Sequence, residues 1–423
     1  MRLIYTALFY GLTPLILARL AWRSCKAPAY RRRWGERFAL YSSTPANGVL
    51  WFHAVSVGEA EAAFPLVRAL GRRFPHHPIL VTTTTPTGSA RVREVLGESV
   101  RHVYLPYDLP DCVARFLDHY RPVLAVVMET EIWPNLYRAC GARGIPLAIV
   151  NARLSDRSAH GYARLRSLAG QSLTPVNRIA AQTSSDAERF IAIGAKPETV
   201  VISGNIKFDL ELPEDLFSRA AAIRTECFGA RPVWIAASTH EGEEAEVLRA
   251  FEQVRRLYPE LLLMLVPRHP ERFDKAATLC RNRSLTVVRR TEGVPCAGAD
   301  VFILDTMGEL RTFYAAGDIA FVGGSLVPVG GHNVLEPALA GLPVLFGPYM
   351  RNFEEAGLRL REAGGAAQIA DAEELAHWVA KLLENAGLRG EMAGKGRLFV
   401  ESGRGALGRV ESLLADLLVG SQA

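Results

Sequence analysis

The sequence predicts two α/β domains, each built on a doubly wound parallel sheet, with an apolar helix in front of them. The chain has 423 residues, and at about 100–200 residues per domain this length suggests two or three domains. Continuous apolar runs alternate with segments of helical spacing, in two successive series. Runs that are apolar throughout are typical of parallel strands that are covered by helices on both faces.

The first 40 residues are predicted to be a membrane anchor followed by a basic segment. Residues 3–18, LIYTALFYGLTPLILA, are apolar and uncharged, and they are short for a spanning helix unless the side chain of Arg19 snorkels. Pro14 is expected to kink this helix. Because the basic residues follow the apolar run, the positive-inside rule places the body of the protein in the cytosol. Spanning the membrane and lying in it are both open, and an ordinary buried helix is the alternative.

Positive charge is concentrated in the same segment. Residues 1–40 contain eight basic residues and one acidic residue, a net charge of +7, and subtracting this from the total of +5 leaves −2 for residues 41–423. The asymmetry favours anionic lipid as a partner of the N-terminus and argues against a nucleic-acid-binding surface. The six cysteines form no C-x-x-C pair, and no His/Cys cluster has zinc spacing. A reducing compartment and no structural metal are therefore expected.

Seven candidate strands precede a strandless, locally acidic stretch, and six follow it. The first series comprises residues 49–56, 78–85, 101–107, 123–130, 146–153, 178–183 and 199–204, and the second comprises residues 232–239, 261–268, 285–290, 300–305, 319–325 and 342–348. We assign residues 41–205 and 232–400 to two Rossmann-like domains and residues 206–231 to a linker. A helix in residues 401–423 is a candidate for crossing back to the first domain.

Polar residues follow many of these strands, although a buried strand does not need them. Examples are HAVSVGE, TTTTPTGS, METEIWPN, VNARLS and QTSSD in the first series, and ASTHEGEE, VPRHPERF, LDTMGEL, VGGSLVPVGGHNVLEP and FGPYMRNFEE in the second. Helix capping explains any single one of these segments. Because so many lie at the carboxyl ends of parallel strands, they predict a ligand-binding cleft between the two domains.

One of these turns carries a carboxylate, Glu59, in the segment WFHAVSVGEAEAAF. A negative charge in the first turn of a helix suits the helix dipole, which would also keep the carboxylate ionised and weakly basic. The alternative is a catalytic base, since such turns face the ligand in parallel sheets. If Glu59 is a base, we expect nearby apolar groups or Glu61 to raise its basicity.

The strongest local signal is GGSLVPVGGHNVLEPALAGLPVLFGP, residues 323–348. Its two glycine pairs permit positive φ and the close approach of a ligand. Asn333 is predicted to cap a helix whose free N–H groups hold a phosphate, and Glu336 could accept hydrogen bonds from a ribose. An ordinary glycine turn is the alternative. The spacing fits neither a nicotinamide-binding Rossmann motif nor a P-loop.

Two further strand ends of the second series are candidates for the same site. VPRHPERF places Arg268, His269 and Arg272 opposite the glycine loop. An arginine there suits a phosphate or a sugar carboxylate, and a solvated basic turn is the alternative. DTMGEL offers backbone groups and Glu309 for reading the edge of a base.

At these residues the chain resembles the 3-deoxy-D-manno-octulosonic acid (Kdo) transferases of lipopolysaccharide synthesis. The matching segments are WFHAVSVGE, METEIWPN, VNARLS, GNIKFD, STHEGEE, VPRHPERF, DTMGEL and GGSLVPVGGHNVLEP, which lie in one order across about residues 49–350. The resemblance implies a GT-B glycosyltransferase of family 30. It also implies an inverting transfer of Kdo, without a metal or another cofactor, from CMP-Kdo to the tetraacylated lipid A precursor (lipid IVA) at the inner membrane.

The same resemblance implies roles for individual residues. Glu59 corresponds to the general base, while Glu131 and Lys207 correspond to groups that stabilise the transition state. Glu129 competes with Glu131 for that role, and a solvated linker lysine is the alternative for Lys207. The CMP site corresponds to Pro267, Arg268, Met307, Gly308, Glu309, Asn333, Val334, Leu335 and Glu336.

Two other functions are compatible with parts of this pattern. A GT-B-like sugar-nucleotide epimerase would share the fold and the nucleotide site, but it would be soluble, which the apolar N-terminus argues against. A non-catalytic membrane-bound scaffold would not need Glu59, Lys207 and Glu336 together, and all three are present.

Overall fold

A computed structural model of the chain describes residues 1–210, 213 and 215–420, apart from the side chain of Lys26. Three residues of the predicted linker and the last three of the C-terminal segment lie outside this description. The chain divides into two compact units, Met1–Asp209 with Arg404–Ala423, and Leu210–Gly403. Each unit contains a seven-stranded sheet whose neighbouring strands are parallel. The predicted fold class, two doubly wound α/β domains, is confirmed.

The sheet of the first unit has the strand order β3-β2-β1-β4-β5-β6-β7. Its strands begin within one residue of the starts of the predicted runs and end one to three residues before the ends of those runs. Residues of β1, β2 and β5 are buried along the whole strand, because helices cover both faces of the sheet. The strands are β1 (Val49–His53), β2 (Ile79–Thr83), β3 (Arg101–Tyr104), β4 (Pro122–Met128), β5 (Leu147–Ala152), β6 (Arg178–Ala181) and β7 (Val200–Ile202).

Eight helices of the first unit precede its last strand or connect its strands. They are α1 (Arg2–Lys26), α2 (Val57–Arg73), α3 (Pro86–Leu96), α4 (Pro110–Tyr120), α5 (Pro134–Ala142), α6 (Asp156–Arg164), α7 (Arg166–Leu173) and α8 (Ser184–Ala192). α3, α4 and α5 each begin with a proline, whose missing N–H is no loss in the first turn. Because all strands run in the same direction, the polar segments that follow them gather at one edge of the sheet.

Helix α1 is exposed over most of its length. Among the described residues, Arg2–Cys25 is the one helix that is long and apolar enough to cross a membrane, and only 6% of its most apolar window is buried. The helix continues through Pro14 without interruption. The ordinary buried helix that the sequence left as an alternative is therefore wrong, and α1 is compatible with a membrane anchor.

The prediction that the whole basic segment lies on lipid is wrong for two of its arginines. Arg33 donates to Ser89 Oγ at 2.9 Å and to the carbonyl of His102 at 2.8 Å. Arg37 is 6% exposed and donates to the carbonyl of Thr84 at 3.0 Å. Both guanidinium groups therefore tie the segment to the ends of β2 and β3, where they satisfy polar groups of the body. The arginines of the segment that stay exposed are Arg19, Arg23, Arg31 and Arg32.

The sheet of the second unit has the strand order β10-β11-β9-β8-β12-β13-β14. Six of its strands were predicted and β14 was not, because its three residues, AAQ, form no apolar run. The strands are β8 (Val233–Thr239), β9 (Leu262–Pro267), β10 (Val287–Arg289), β11 (Val301–Ile303), β12 (Ile319–Val322), β13 (Val344–Phe346) and β14 (Ala366–Gln368). The helices are α9 (Leu216–Ile223), α10 (Glu243–Arg255), α11 (Phe273–Arg281), α12 (Leu310–Ala315), α13 (Leu335–Leu339), α14 (Glu354–Glu362), α15 (Ala372–Glu384) and α16 (Ala386–Ser402).

The last helix, α17 (Ala406–Gly420), belongs to the first unit. Its buried residues Val410, Leu414 and Leu418 pack in the same apolar cluster as residues of α2. Arg73 of α2 and Glu411 of α17 form an ion pair at 3.3 Å. The C-terminal helix thus covers one face of the sheet that carries the turn of Glu59.

Candidate functional site

Glu59 is the third residue of α2 and forms a capping box with Ser56. The backbone N–H of Glu59 donates to Ser56 Oγ at 3.3 Å, and the Ser56 hydroxyl donates to Glu59 Oε1 at 3.0 Å. The other carboxylate oxygen accepts the backbone N–H of Val55 at 2.7 Å. The structural interpretation of this turn is therefore correct, since Ser56 Oγ accepts a first-turn N–H of the helix and the carboxylate accepts the N–H of Val55 just before it.

The same carboxylate also has the basicity of a catalytic group. Burial and the neighbouring charge of Glu129 raise the pKa of Glu59 to about 7, against the lowering effects of the Val55 N–H, Ser56 and Lys207. The expectation that burial would offset the helix field is confirmed. The expected role of Glu61 is wrong, because Glu61 pairs with Arg91 at 2.9 Å and Glu129 supplies the repelling charge.

Three predicted residues of the METE and GNIKFD segments lie in the same electrostatic cluster as Glu59. Lys207 Nζ is 3.5 Å from Glu129 Oε1. Glu131 Oε2 accepts the indole N–H of Trp133 at 3.1 Å. Burial, followed by the charge of Glu59, raises the pKa of Glu131 to about 7. Both glutamates thus belong to the cluster. Glu129 contacts Lys207, and Glu131 contacts the indole of Trp133.

The backbone around this cluster is held in an unusual conformation. Glu129 and Asn151 have φ values of +57° and +50°, in the left-handed region of backbone conformation that residues other than glycine rarely adopt. Asn151 Oδ1 accepts the backbone N–H of Ile206 at 3.0 Å, which fixes the turn that carries Lys207. Such strain is often found at functional sites. Asn151 lies in the segment VNARLS, but its role could not be predicted from the sequence, because the contact joins distant segments of the chain.

In the second unit, Arg268 is a cation without a counterion. It follows β9, and its backbone N–H donates to the carbonyl of Thr239 at 3.0 Å. Within residues 1–210, 213 and 215–420, no hydrogen bond or ion pair engages its guanidinium group. Arg272, by contrast, donates to Glu244 at 3.0 Å and to Glu241 at 2.9 Å. Arg268 is therefore the arginine of VPRHPERF that is available for an anion.

The glycine loop after β12 is organised by a buried carboxylate. Glu243 accepts the backbone N–H groups of Gly324 at 2.6 Å, Ser325 at 2.9 Å and Leu326 at 2.8 Å. It also accepts the N–H of His240 at 3.0 Å. These N–H groups are therefore not free for a ligand. This role could not be predicted from the local pattern, although STHEGEE contains Glu243.

The glycines of the loop are required by the packing of the chain against itself. A Cβ atom at Gly323 would lie 2.7 Å from the carbonyl oxygen of Ser238, and one at Gly331 would lie 2.4 Å from the sulfur of Met350. The expectation that both glycine pairs admit a ligand close to the backbone is therefore wrong for these two positions. At them, the close approach is made by the protein itself.

The segment 333–336 has a different cap from the one predicted. Asn333 Oδ1 accepts the N–H of Leu335 at 3.0 Å, but α13 begins only after Val334 and is five residues long. Glu336 Oε1 accepts two N–H groups of Arg311, at 3.0 and 2.7 Å. Its second oxygen has no partner among the described residues. One carboxylate oxygen is thus held in place and the other is available.

The DTMGEL segment is joined to this region through α12, which begins at the last residue of the segment, Leu310. Arg311 of α12 is the partner of Glu336, so the two predicted parts of the nucleotide site are linked by an ion pair. Glu309 accepts N–H groups of Arg290 at 3.3 and 3.1 Å, and Gly308 has a φ of +87°. Met307 is 61% exposed. Pro267, Val334 and Leu335, also predicted as site residues, are buried.

Known proteins resemble this chain over its whole length. A family model described as 3-deoxy-D-manno-octulosonic-acid transferase (kdotransferase) matches residues 32–210. The 3-deoxy-D-manno-octulosonic acid transferase of Haemophilus influenzae is 42% identical over 421 residues, which cover 99% of each chain. That of Bordetella pertussis is 37% identical and covers 98% of this chain and 99% of its own. MurG of Acinetobacter baumannii, at 14% identity and a TM-score of 0.56, covers 88% of this chain and 99% of that one, and shows the fold alone.

Proposed function

The chain belongs to the 3-deoxy-D-manno-octulosonic acid transferase family, and from this premise we propose that it transfers Kdo from CMP-Kdo to lipid IVA, with inversion. It is a GT-B glycosyltransferase of lipopolysaccharide biosynthesis. The observation that carries the proposed chemistry is the partly buried Glu59 carboxylate, which follows a parallel strand and has a pKa of about 7.

Glu59 is proposed to take the proton of the acceptor hydroxyl as its oxygen attacks the anomeric carbon of Kdo. The bond between that carbon and the phosphate oxygen breaks, and its electron pair leaves with CMP. A carboxylate with a pKa of about 7 is a stronger base than an ordinary glutamate and is still partly ionised at neutral pH. The hydrogen bonds from Val55 and Ser56 orient the carboxylate, and each oxygen keeps a lone pair for the incoming proton.

The neighbours of Glu59 are proposed to stabilise the charges of the transition state. Lys207 is a cation close enough to lower the pKa of Glu59, and it suits the carboxylate that Kdo itself carries. Glu131 has a pKa of about 7, so that it can hold a proton and donate a hydrogen bond. Glu129 fixes Lys207 through their contact of 3.5 Å.

The second unit is proposed to bind the CMP part of the donor. Arg268 suits the phosphate, because its guanidinium group has no partner among the described residues. The available oxygen of Glu336 suits a ribose hydroxyl, and residues 307–309 suit the edge of the cytosine. We assign the leaving charge to Arg268 and propose no metal. The described residues contain no group of three or more His, Cys, Asp or Glu side chains that could hold an ion.

Helix α1 is proposed to hold the protein on the cytoplasmic face of the inner membrane. One face of the helix is hydrogen-bonded to the body: Arg2 and Thr6 donate to Asn135 at 3.1 and 3.0 Å, and Tyr10 donates to Asp111 at 2.6 Å. The opposite face exposes large apolar side chains. A helix with these two faces suits the plane of a membrane, with arginines of the following segment on anionic lipid. The apolar residues are Leu3, Ile4, Leu8, Leu12, Leu15 and Trp22.

The test is a transfer assay with detergent-purified protein, CMP-Kdo and lipid IVA, in which CMP release and product mass are followed. Glu59→Ala is expected to lower kcat about 10²–10⁴-fold, the usual contribution of a general base. Glu61→Ala is the matched control, because Glu61 lies on the same helix and pairs with Arg91. The absence of CMP release by the wild type, or an undiminished rate in Glu59→Ala, would contradict the proposal. A mass change of the lipid separates transfer from epimerisation.

A further inference from the structure

Two histidines form a close pair, His240 directly after β8 and His332 in the loop between β12 and α13. The Nε2 atoms of His240 and His332 are 2.8 Å apart, and the rings meet edge to edge, with their centroids 5.1 Å apart and an angle of 5° between the planes. Two N–H groups cannot point at each other at this distance. One hydrogen therefore lies between the two nitrogens, so that one ring donates and the other accepts.

The surrounding backbone holds the pair in place. The N–H of His240 donates to the buried Glu243, which also holds the N–H of Gly324. A Cβ atom at Gly324 would lie 3.0 Å from Cδ2 of His332 and 3.4 Å from Cδ2 of His240. The rings therefore pack against this glycine, and the short distance between their nitrogens is a property of the loop.

The charged groups that face the pair are mostly cationic. Burial, followed by the charges of His240, Arg268 and His269, lowers the pKa of His332 to about 3. Burial, His269, Arg268 and Arg272 lower the pKa of His240. The charge of Arg272 is balanced by Glu241 and Glu244, which leaves Arg268 as the unbalanced cation.

In the absence of an anion, both rings are therefore neutral at neutral pH. The ring that accepts carries its hydrogen on Nδ1, and the ring that donates has a free Nδ1. That free nitrogen is the place where a further proton can bind without disturbing the contact between the two Nε2 atoms. The Arg268 charge opposes such binding for as long as no anion balances it.

We propose that the His240–His332 pair takes up a proton when a phosphate binds at Arg268, and releases it when the phosphate leaves. The anion cancels the repulsion from Arg268, and the protonated pair adds a positive charge beside the phosphate. A phosphodiester carries one negative charge, whereas a phosphomonoester such as CMP carries about −1.5 to −2 at neutral pH. A proton taken up at the pair would balance the charge that CMP gains when Kdo leaves it. The identity of the anion rests on the proposed function.

The test is a calorimetric titration of the full-length protein in detergent with CMP, in two non-phosphate buffers that differ in ionisation enthalpy. The wild type is expected to show a binding enthalpy that depends on the buffer, in the sense of proton uptake. Its affinity for CMP is expected to fall by up to about tenfold per pH unit above neutrality, the limit for one linked proton. In His332→Asn and His240→Asn, the buffer dependence is expected to disappear.

Two further histidine variants locate the proton. His377→Asn removes an exposed histidine from α15 of the same unit and is expected to keep the proton uptake. Uptake that is lost in His269→Asn and kept in both pair variants would overturn the proposal, since the proton would then bind at His269. Wild-type binding of CMP with the same enthalpy in both buffers would overturn it whether or not the variants fold. No binding of CMP at all would instead overturn the proposed donor, and with it this inference.

Discussion

At the residue scale, the capping of α2 by Glu59 and its proposed role as the catalytic base depend on the same contacts. The hydrogen bonds from Val55 and Ser56 cap α2 and lower the pKa of the carboxylate, while burial and Glu129 raise it to about 7. The position of Glu59 could be predicted, because a strand-to-helix turn is a local pattern. The neighbouring charge that raises its pKa could not be predicted, because Glu129 comes from the end of β4, far from Glu59 in the sequence. Glu61 is closer in sequence but pairs with Arg91.

This balance predicts the pH dependence of the transfer. Because Glu59 must be ionised to accept a proton, the acid limb of the kcat/KM profile is expected to rise with pH, with its midpoint near the pKa of about 7. Glu129→Gln removes a like charge, which lowers the pKa of Glu59, so the midpoint is expected to move to lower pH by on the order of one unit. The measurement is the pH profile of kcat/KM with CMP-Kdo.

Glu61→Gln is the control for that profile, since its partner is Arg91. Its midpoint is expected to match that of the wild type. A midpoint that stays in place in Glu129→Gln, or moves to higher pH, would show that Glu129 does not set the basicity of Glu59.

At the element scale, the strands could be predicted and the architecture of the loops could not. A buried parallel strand is a continuous apolar run, so that thirteen of fourteen strands were evident, and β14 lacks such a run. The glycine loop after β12 was correctly singled out, but its shape depends on Glu243 of α10, which lies far away in the sequence. A carboxylate that accepts several backbone N–H groups leaves no mark on the local pattern.

The contacts of Glu243 predict the effect of replacing it. In Glu243→Gln the charge is lost and the amide NH₂ group would face N–H donors, so that the loop is expected to lose part of its order. The free energy of unfolding of the second unit is expected to fall by about 1.5–3 kcal/mol, as for hydrogen bonds to a charged group. Weaker binding of CMP is expected as well. Thermal unfolding and calorimetry with CMP measure the two effects.

Glu246→Gln is the matched variant on the same helix, where Glu246 pairs with Arg249 on the surface. A surface ion pair contributes about 0–1 kcal/mol, so little change is expected. Equal losses of stability in the two variants would mean that the buried N–H contacts of Glu243 do not hold the loop.

At the scale of the whole molecule, the N-terminal helix is proposed to determine where the reaction takes place. The sequence predicted an apolar segment with basic residues after it, and could not tell a spanning helix from one that lies along the body. The hydrogen bonds of Arg2, Thr6 and Tyr10 account for one face of α1. The other face exposes Leu8 and Leu15, at 60% and 66%. In the proposed function, such a helix brings the first unit, with Glu59, to the membrane surface that holds the lipid acceptor.

This arrangement predicts the effect of charging the apolar face. In Leu8→Asp/Leu15→Asp, two leucines lose their burial in lipid, which is worth about 1.5–3 kcal/mol for each. Binding to vesicles that contain anionic lipid is therefore expected to weaken about a hundredfold or more, while the thermal unfolding of the protein stays as in the wild type. Leu257→Asp, which changes a 71% exposed leucine of the second unit, is the control and is expected to keep vesicle binding. Because the proposed acceptor is a lipid, transfer to lipid IVA in vesicles is expected to fall with binding and to recover in detergent. Unchanged vesicle binding in the double variant would show that α1 is not the membrane contact.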